Sequence, residues 1–182
     1  MTTKFGGTPR LPIRKGSEVK VDFEERIIRN PALGSTVLWQ FARDYTDHSG
    51  DGSAPNLLAF LLVYPMLFHA ATVRAIKGMN FESGFSKALI DQPEISIGLQ
   101  ARLRSTAVPA LQTLNFACAA GLLRREEGAG IPFFRPEGTT LPSGFKDARY
   151  SVRDMIAAAR RLGRWIASDG VEATCLRLDV RF

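Results

Sequence analysis

The stretch LLAFLLVYPMLFHAA, from Leu57 to Ala71, carries no acid, lysine or arginine along its length. A bilayer span needs roughly 20 apolar residues, and this run is shorter and holds Pro65 and His69 inside it. It is therefore expected to be a buried helix, bent or restarted at Pro65, whose ring removes one backbone donor and crowds the preceding turn. A helix that is apolar all round has to be covered from every side. A chain of 182 residues with 45% hydrophobic and 23% charged residues can supply that cover within one domain.

The covering elements can be read from periodicity. In RNPALGSTVLWQFARDY, Asn30 before Pro31 is a helix-entry pair, and Leu33, Val37, Leu38 and Phe41 recur at helical spacing, with Trp39 and Tyr45 adding aromatic mass. TDHSGDGSAPN, Thr46 to Asn56, is a loop by composition. Asp44, Asp47, His48 and Asp51 do not match calcium-loop spacing, and an exposed polar loop accounts for them. Gly78 and Gly84 interrupt the next segment, leaving a short helix near Phe85 to Asp91. EISIGLQARLRSTA aligns Ile95, Leu99 and Leu103, and Pro109 can open a further helix, VPALQTLNFACAAG, closed at Gly121.

Two helices joined by a short connection then lead into LLRREEGAGIPFFRP, where Gly128 and Gly130 supply a turn and Pro132 limits the second strand to an edge. This is the order of a helix-turn-helix followed by a wing. The tip of that wing is acidic, with Glu126 and Glu127 set where a groove-reading wing would meet phosphates, while Arg124 and Arg125 make its first strand basic. The final helix runs through SVRDMIAAARRLGRWIASDG. Ser151 and Asp154 resemble a capping box, and Met155, Ala158, Ala159, Leu162, Trp165 and Ile166 form one apolar face. Arg153, Arg160 and Arg164, spaced seven and four apart, make a basic stripe on the opposite side. The tail TCLRLDVRF alternates as a half-buried strand does. The expected fold is mainly α: a helical domain with a winged-helix-like β-hairpin and a short C-terminal strand.

The net charge of +6 and pI near 9.7 suit a polyanionic partner or an acidic protein. Residues 1–20 hold Lys4, Arg10, Arg14, Lys15 and Lys20 among glycine and proline without periodicity and are expected to be a flexible extension, with 21–182 as the single helical domain. No signal-peptide core precedes the domain, so a cytoplasmic location is expected. Cys118 and Cys175 lack metal-ligand spacing and are expected to be packed, reduced thiols. His48 falls in the polar loop and His69 in the apolar helix, no nucleophile elbow or phosphate-cradling loop occurs, and the acidic pairs are surface neighbours. The expectation is a non-enzymatic protein with no catalytic residues, no metal, no cofactor and no small-molecule substrate. The candidate residues for binding a partner or DNA are Arg153, Arg160, Arg164, Arg124 and Arg125.

Three segments in order are similar to the middle component of bacterial three-component ABC systems: RNPALGSTVLWQFARDY, LLAFLLVYPMLFHAATVRAI and ARRLGRWIASDGVEATCLRLDVRF. The resemblance spans Asn30 to Phe182 and carries over Asn30, Pro31, Trp39, Pro65, His69, Gly163, Arg164 and Trp165. It implies an adaptor between an SMC-like or Rad50-like ABC ATPase and an effector-bearing third subunit, in an operon similar to Lamassu-type anti-phage and anti-plasmid defence, with DNA reached through the complex and no membrane. Of the carried-over positions, Gly163 is expected to let a neighbouring backbone approach the last helix, Trp165 to be buried, and Arg164 to meet a partner. Two alternatives remain beside this: a free-standing winged-helix DNA-binding regulator and, ranked last, a small enzyme built on Asp44, Asp47 and His48.

Overall fold

The computed structural model describes residues 30–138 and 150–182, the side chains of Tyr150 and Ser151 excepted. The expected extension 1–20, its boundary with the domain, residues 139–149 and the Ser151 cap lie outside the described residues.

The central element is α1, Pro31–His48. Asn30 caps it, its Oδ1 accepting the Leu33 N–H at 3.2 Å, and Pro31 occupies the first turn, where a missing donor costs nothing. Val37, Leu38, Phe41 and Ala42 are wholly buried, because α1 is surrounded by later helices and by the hairpin. Next come α2, Leu57–Leu67, and α3, Ala70–Lys77, which meet at 97°. Pro65 stays inside the last turn of α2, and the chain turns three residues later than expected. The carbonyl that Pro65 deprives of a partner belongs to half-buried Leu61, and the helix ends two residues beyond the proline. His69 sets the restart as the cap of α3, its Nδ1 lying 2.9 Å from Thr72 Oγ1 and accepting the Thr72 N–H. His69 thus stands between two helices rather than inside the apolar one. Among the described residues no single helix is long and apolar enough to cross a membrane.

A 3₁₀ turn, Phe81–Ser83, leads into α4, Gly84–Asp91, and a second, Pro93–Ile95, precedes α5, Leu99–Ala119. Here the structure corrects the sequence reading. The two helices expected on either side of Pro109 are one helix of 21 residues, so the helix pair that precedes the hairpin is α4 and α5, joined through the turn Pro93–Ile95. The carbonyl freed by Pro109 is that of Ser105, which is exposed and open to water, so the ring is accommodated without a break.

The hairpin is present. Strands β1, Leu123–Glu126, and β2, Phe133–Pro136, run antiparallel with Leu123 opposite Pro136 and Glu126 opposite Phe133. At its turn a Cβ on Gly128 would lie 2.4 Å from the Ile131 carbonyl oxygen, and Gly130 has φ +94. The main chain entering α2 is bonded along β2: Leu57 N–H donates to Pro132 O and Phe134 N–H to Pro55 O, each at 3.0 Å.

Helix α6, Tyr150–Asp169, crosses α1 and buries all six residues of its expected apolar face. Gly170, at φ +83, ends it, and α7, Val171–Leu178, follows. In the segment TCLRLDVRF, read as a C-terminal strand, Thr174–Leu178 is therefore helical and Asp179–Phe182 is neither helix nor strand. The buried positions Val171, Thr174 and Leu178 of α7 follow helical spacing, whereas Leu176, on the expected strand's apolar side, is 82% exposed. The described residues contain one two-stranded sheet, which this segment does not join, and a helix satisfies its backbone internally.

Candidate interaction surface

The five candidate arginines sit on two elements, and the α1–α6 crossing positions three of them. Gly163 makes that crossing close: a Cβ there would stand 2.7 Å from Phe41 O and 2.9 Å from Tyr45 N, so the two backbones nearly touch, as expected of this carried-over position. Beside it Asp44 is 7% exposed, a correction to its place in a solvated loop. Gln40 Nε2 donates to its Oδ2, and Arg160 Nε approaches its Oδ1 at 3.5 Å. Burial pushes the Asp44 carboxyl above its usual pKa, opposed by Gln40, Arg160 and His48.

Arg153, Arg160 and Arg164 share one side of α6, with Arg153 exposed. The stripe is less free than the sequence suggests. Arg160, 53% exposed at its side chain, reaches Asp44 and lies over the Phe81 ring at 5.5 Å. Arg164 is only 32% exposed and pairs through Nη2 with Glu82 Oε1 at 2.5 Å. Its expected orientation away from the domain is thus corrected: the 3₁₀ turn at Phe81–Ser83 comes up beside α6 and takes it.

The group that anchors this turn is one that sequence reasoning missed. Arg161 Nε donates to Met79 O at 2.6 Å and Nη1 to Ala157 O at 2.8 Å, with its guanidinium 4.4 Å from the Phe81 ring centroid. Trp165, 2% exposed, adds an Nε1 bond to Phe81 O at 2.8 Å. Burial, with the charge of Arg160 nearby, draws Arg161 below its ordinary pKa. Helical periodicity sets Arg161 beside the buried face, three residues after Ala158 and four before Trp165, but its partners Met79 and Phe81 lie some eighty positions earlier in the chain. Asp44 also carried a signal. It lies three residues after Phe41 and seven after Val37, both fully buried, so helical periodicity sets it on the inner side.

Arg124 and Arg125 occupy β1 and pair with the hairpin's own acids. Arg124 meets Glu126 at 3.1 Å and Glu137 at 3.2 Å, Arg125 meets Glu127 at 3.3 Å, and Arg135 joins Glu126 at 2.9 Å. Arg124 and Arg125 remain about three-fifths exposed, so these pairs hold them weakly. The hairpin is fixed instead by buried Phe134, edge-on to Phe60, and by Trp39 Nε1 donating to Glu137 O at 2.7 Å.

The remaining polar candidates do not converge. Asp47 pairs with Arg43 at 3.7 Å, His48 Nδ1 lies 2.8 Å from the Asp44 carbonyl oxygen, and Asp51 Oδ1 accepts the Ser53 N–H at 2.9 Å. Each serves the end of α1 or the turn after it. Cys118 and Cys175 are unbonded and half-buried, and burial raises both thiols above their usual pKa.

A family model described as ABC-three component (ABC-3C) system Middle Component 3 matches residues 19–182. No curated protein and no solved structure matches the chain.

Proposed function

We propose that this chain, which belongs to the ABC-three component system Middle Component 3 family, is the non-catalytic adaptor of its system. It joins an SMC-like or Rad50-like ABC ATPase to an effector-bearing third subunit, in a cytoplasmic anti-phage or anti-plasmid complex that senses foreign DNA. The observation that carries this reading is the match over residues 19–182, nearly the whole chain. The side chains support it. Asp44, His48 and His69, the groups best suited to acid–base work, are each engaged in bonds at a helix end or a helix crossing. The candidate arginines that reach solvent, Arg153 and Arg160 on α6 and Arg124 and Arg125 on β1, stand on elements anchored by buried Trp165 and Trp39.

Against the free-standing winged-helix regulator stands the acidic hairpin tip, where Glu127 pairs with Arg125 and disfavours phosphate contact. The adaptor reading is tested by coexpressing the chain with the ATPase and the third subunit encoded beside it. Reversing Arg153, Arg160 and Arg164 to Glu, or Arg124 and Arg125 to Glu, is expected to strip a component from the purified complex or weaken its retention of DNA. A phosphate contact should weaken steeply with log salt, by roughly one unit of slope per phosphate, and a protein contact with an apolar centre more gently. Replacing Asp47 and His48 together by Ala should leave defence intact. Normal assembly, DNA retention and defence in both reversal variants would overturn the site assignment, and loss of defence in the folded Asp47 and His48 variant would favour an enzyme.

A further inference from the structure

Helix α5 has two unlike sides. One is buried through Leu99, Leu103, Ala110, Thr113, Leu114 and Ala117. On the other, Ala101, Arg104, Val108, Leu111, Asn115 and Cys118 succeed each other at alternating intervals of three and four, the 3.5-residue period of a helix-pairing seam. Val108 is 63% and Leu111 41% exposed, Cys118 is half-buried, and the other three are exposed. The helix contains no acid, and its only charges are Arg102 and Arg104. Arg102 turns inward to bond Thr72 Oγ1 and the carbonyls of Ile95 and Ile97. Arg104 is thus the sole charge on the outer side of a 21-residue helix that shows Val108, Leu111 and Phe116 to solvent. Depletion of charge around exposed apolar residues is the composition of an interface centre.

We propose that this face binds a second copy of the chain, the two α5 helices packing antiparallel about a twofold axis between Val108 and Leu111. The argument is the self-complementarity of the seam. A parallel pairing would set Arg104 against Arg104 of the second copy. In the antiparallel register that faces Val108 with Leu111, the same symmetry faces Arg104 with Asn115 and Ala101 with Cys118. Apolar meets apolar at the centre, a guanidinium meets a side-chain amide that can accept from it, and a small residue meets a thiol. The two Arg104 side chains then sit about 16 Å apart along the axis, beyond the screening length of roughly 8 Å at physiological salt. Neither Arg104 nor Asn115 has a side-chain hydrogen bond among the described residues, so both are available for such a pairing. A contact of this kind is isologous and closed, and needs no other component.

Sedimentation velocity on the full chain alone, over a concentration series, is expected to show a dimer. V108E/L111E should lose it, with circular dichroism unchanged and melting lowered only by the lost association, because both positions are exposed on the single chain. The register has its own test. A short bifunctional maleimide should link A101C/C175S into a covalent dimer, whereas C175S alone should stay unlinked, its two Cys118 thiols being about 25 Å apart along the axis. Wild-type chain that remains monomeric across the series, or a dimer that survives V108E/L111E, would overturn the proposal. If V108E/L111E fails to fold, the A101C/C175S linkage decides alone, and its absence is fatal. Should the wild type be monomeric while V108E/L111E strips another component from the purified complex, the face belongs to that component, which would leave the adaptor reading standing and this one wrong.

Discussion

The α1–α6 crossing and the β1–β2 hairpin both display arginines, yet they hold them by different physics. At the crossing, Gly163 brings two backbones together, Trp165 fills the space beneath, and Arg160, Arg161 and Arg164 reach across to Asp44, Met79, Phe81 and Glu82. On the hairpin the arginines pair with acids of the hairpin and its exit, mostly in solvent, while Phe134 and Trp39 do the anchoring. Changing an arginine at the crossing therefore alters the fold and the surface together. Changing one on the hairpin alters the surface almost alone.

The contrast fails at once if the crossing is not where stability resides. Trp165→Ala should cost about 3 to 5 kcal/mol, since it empties a large site and orphans the Phe81 carbonyl; a denaturation midpoint unchanged within error would refute it. Gly163→Ala follows, at about 1 to 3 kcal/mol, because a methyl meeting Phe41 O at 2.7 Å has to push two helices apart. Arg161→Met keeps the stem but removes two hydrogen bonds from a charged donor, for about 1.5 kcal/mol. Replacing Arg124 and Arg125 together by Gln should cost less than about 1 kcal/mol, and a larger loss would mean that the hairpin depends on its ion pairs after all.

The smallest effect concerns Asp44. Its folded pKa lies above the ordinary 3.8, so the folded state holds that proton more tightly than the unfolded chain does. Its contribution is then most favourable below pH 3.8 and declines as pH rises from 3.8 toward the raised folded value. Wild-type stability minus that of Asp44→Asn, measured by urea denaturation across acid pH, should fall with rising pH in that window. A difference that climbs would show that Arg160 and Gln40 outweigh burial.

Local signals were faithful where the deciding partner lies within a turn. Asn30 caps α1 and the apolar face of α6 is the buried one, both as the spacing of those residues predicts, whereas Gly163, whose partners Phe41 and Tyr45 lie on α1, was singled out by the family resemblance. The misreadings have non-local causes. Pro109 looked like a helix start because its tolerance depends on the exposure of Ser105, a property of the assembled domain. TCLRLDVRF alternates like a strand, but a strand needs a neighbour to pair with. The arginine stripe was visible by position, while the turn that engages it comes from residues 79 to 82. The outward seam of α5 was hidden for a related reason: while Pro109 divided that helix in two, no continuous period could be followed along it.

The hydrogen bonds from Leu57 to Pro132 and from Phe134 to Pro55 bear on how the molecule can polymerise or be captured. A two-stranded sheet normally offers unpaired main-chain groups on both flanks as templates for a foreign strand. On the β2 flank this chain has used them on itself, and β1 carries Arg124, Arg125 and Glu126 in succession. Strand addition is blocked by occupancy on one flank and discouraged by charge on the other. Whatever associates with the hairpin must recognise its side chains, where sequence can specify the choice, rather than its backbone, where it cannot.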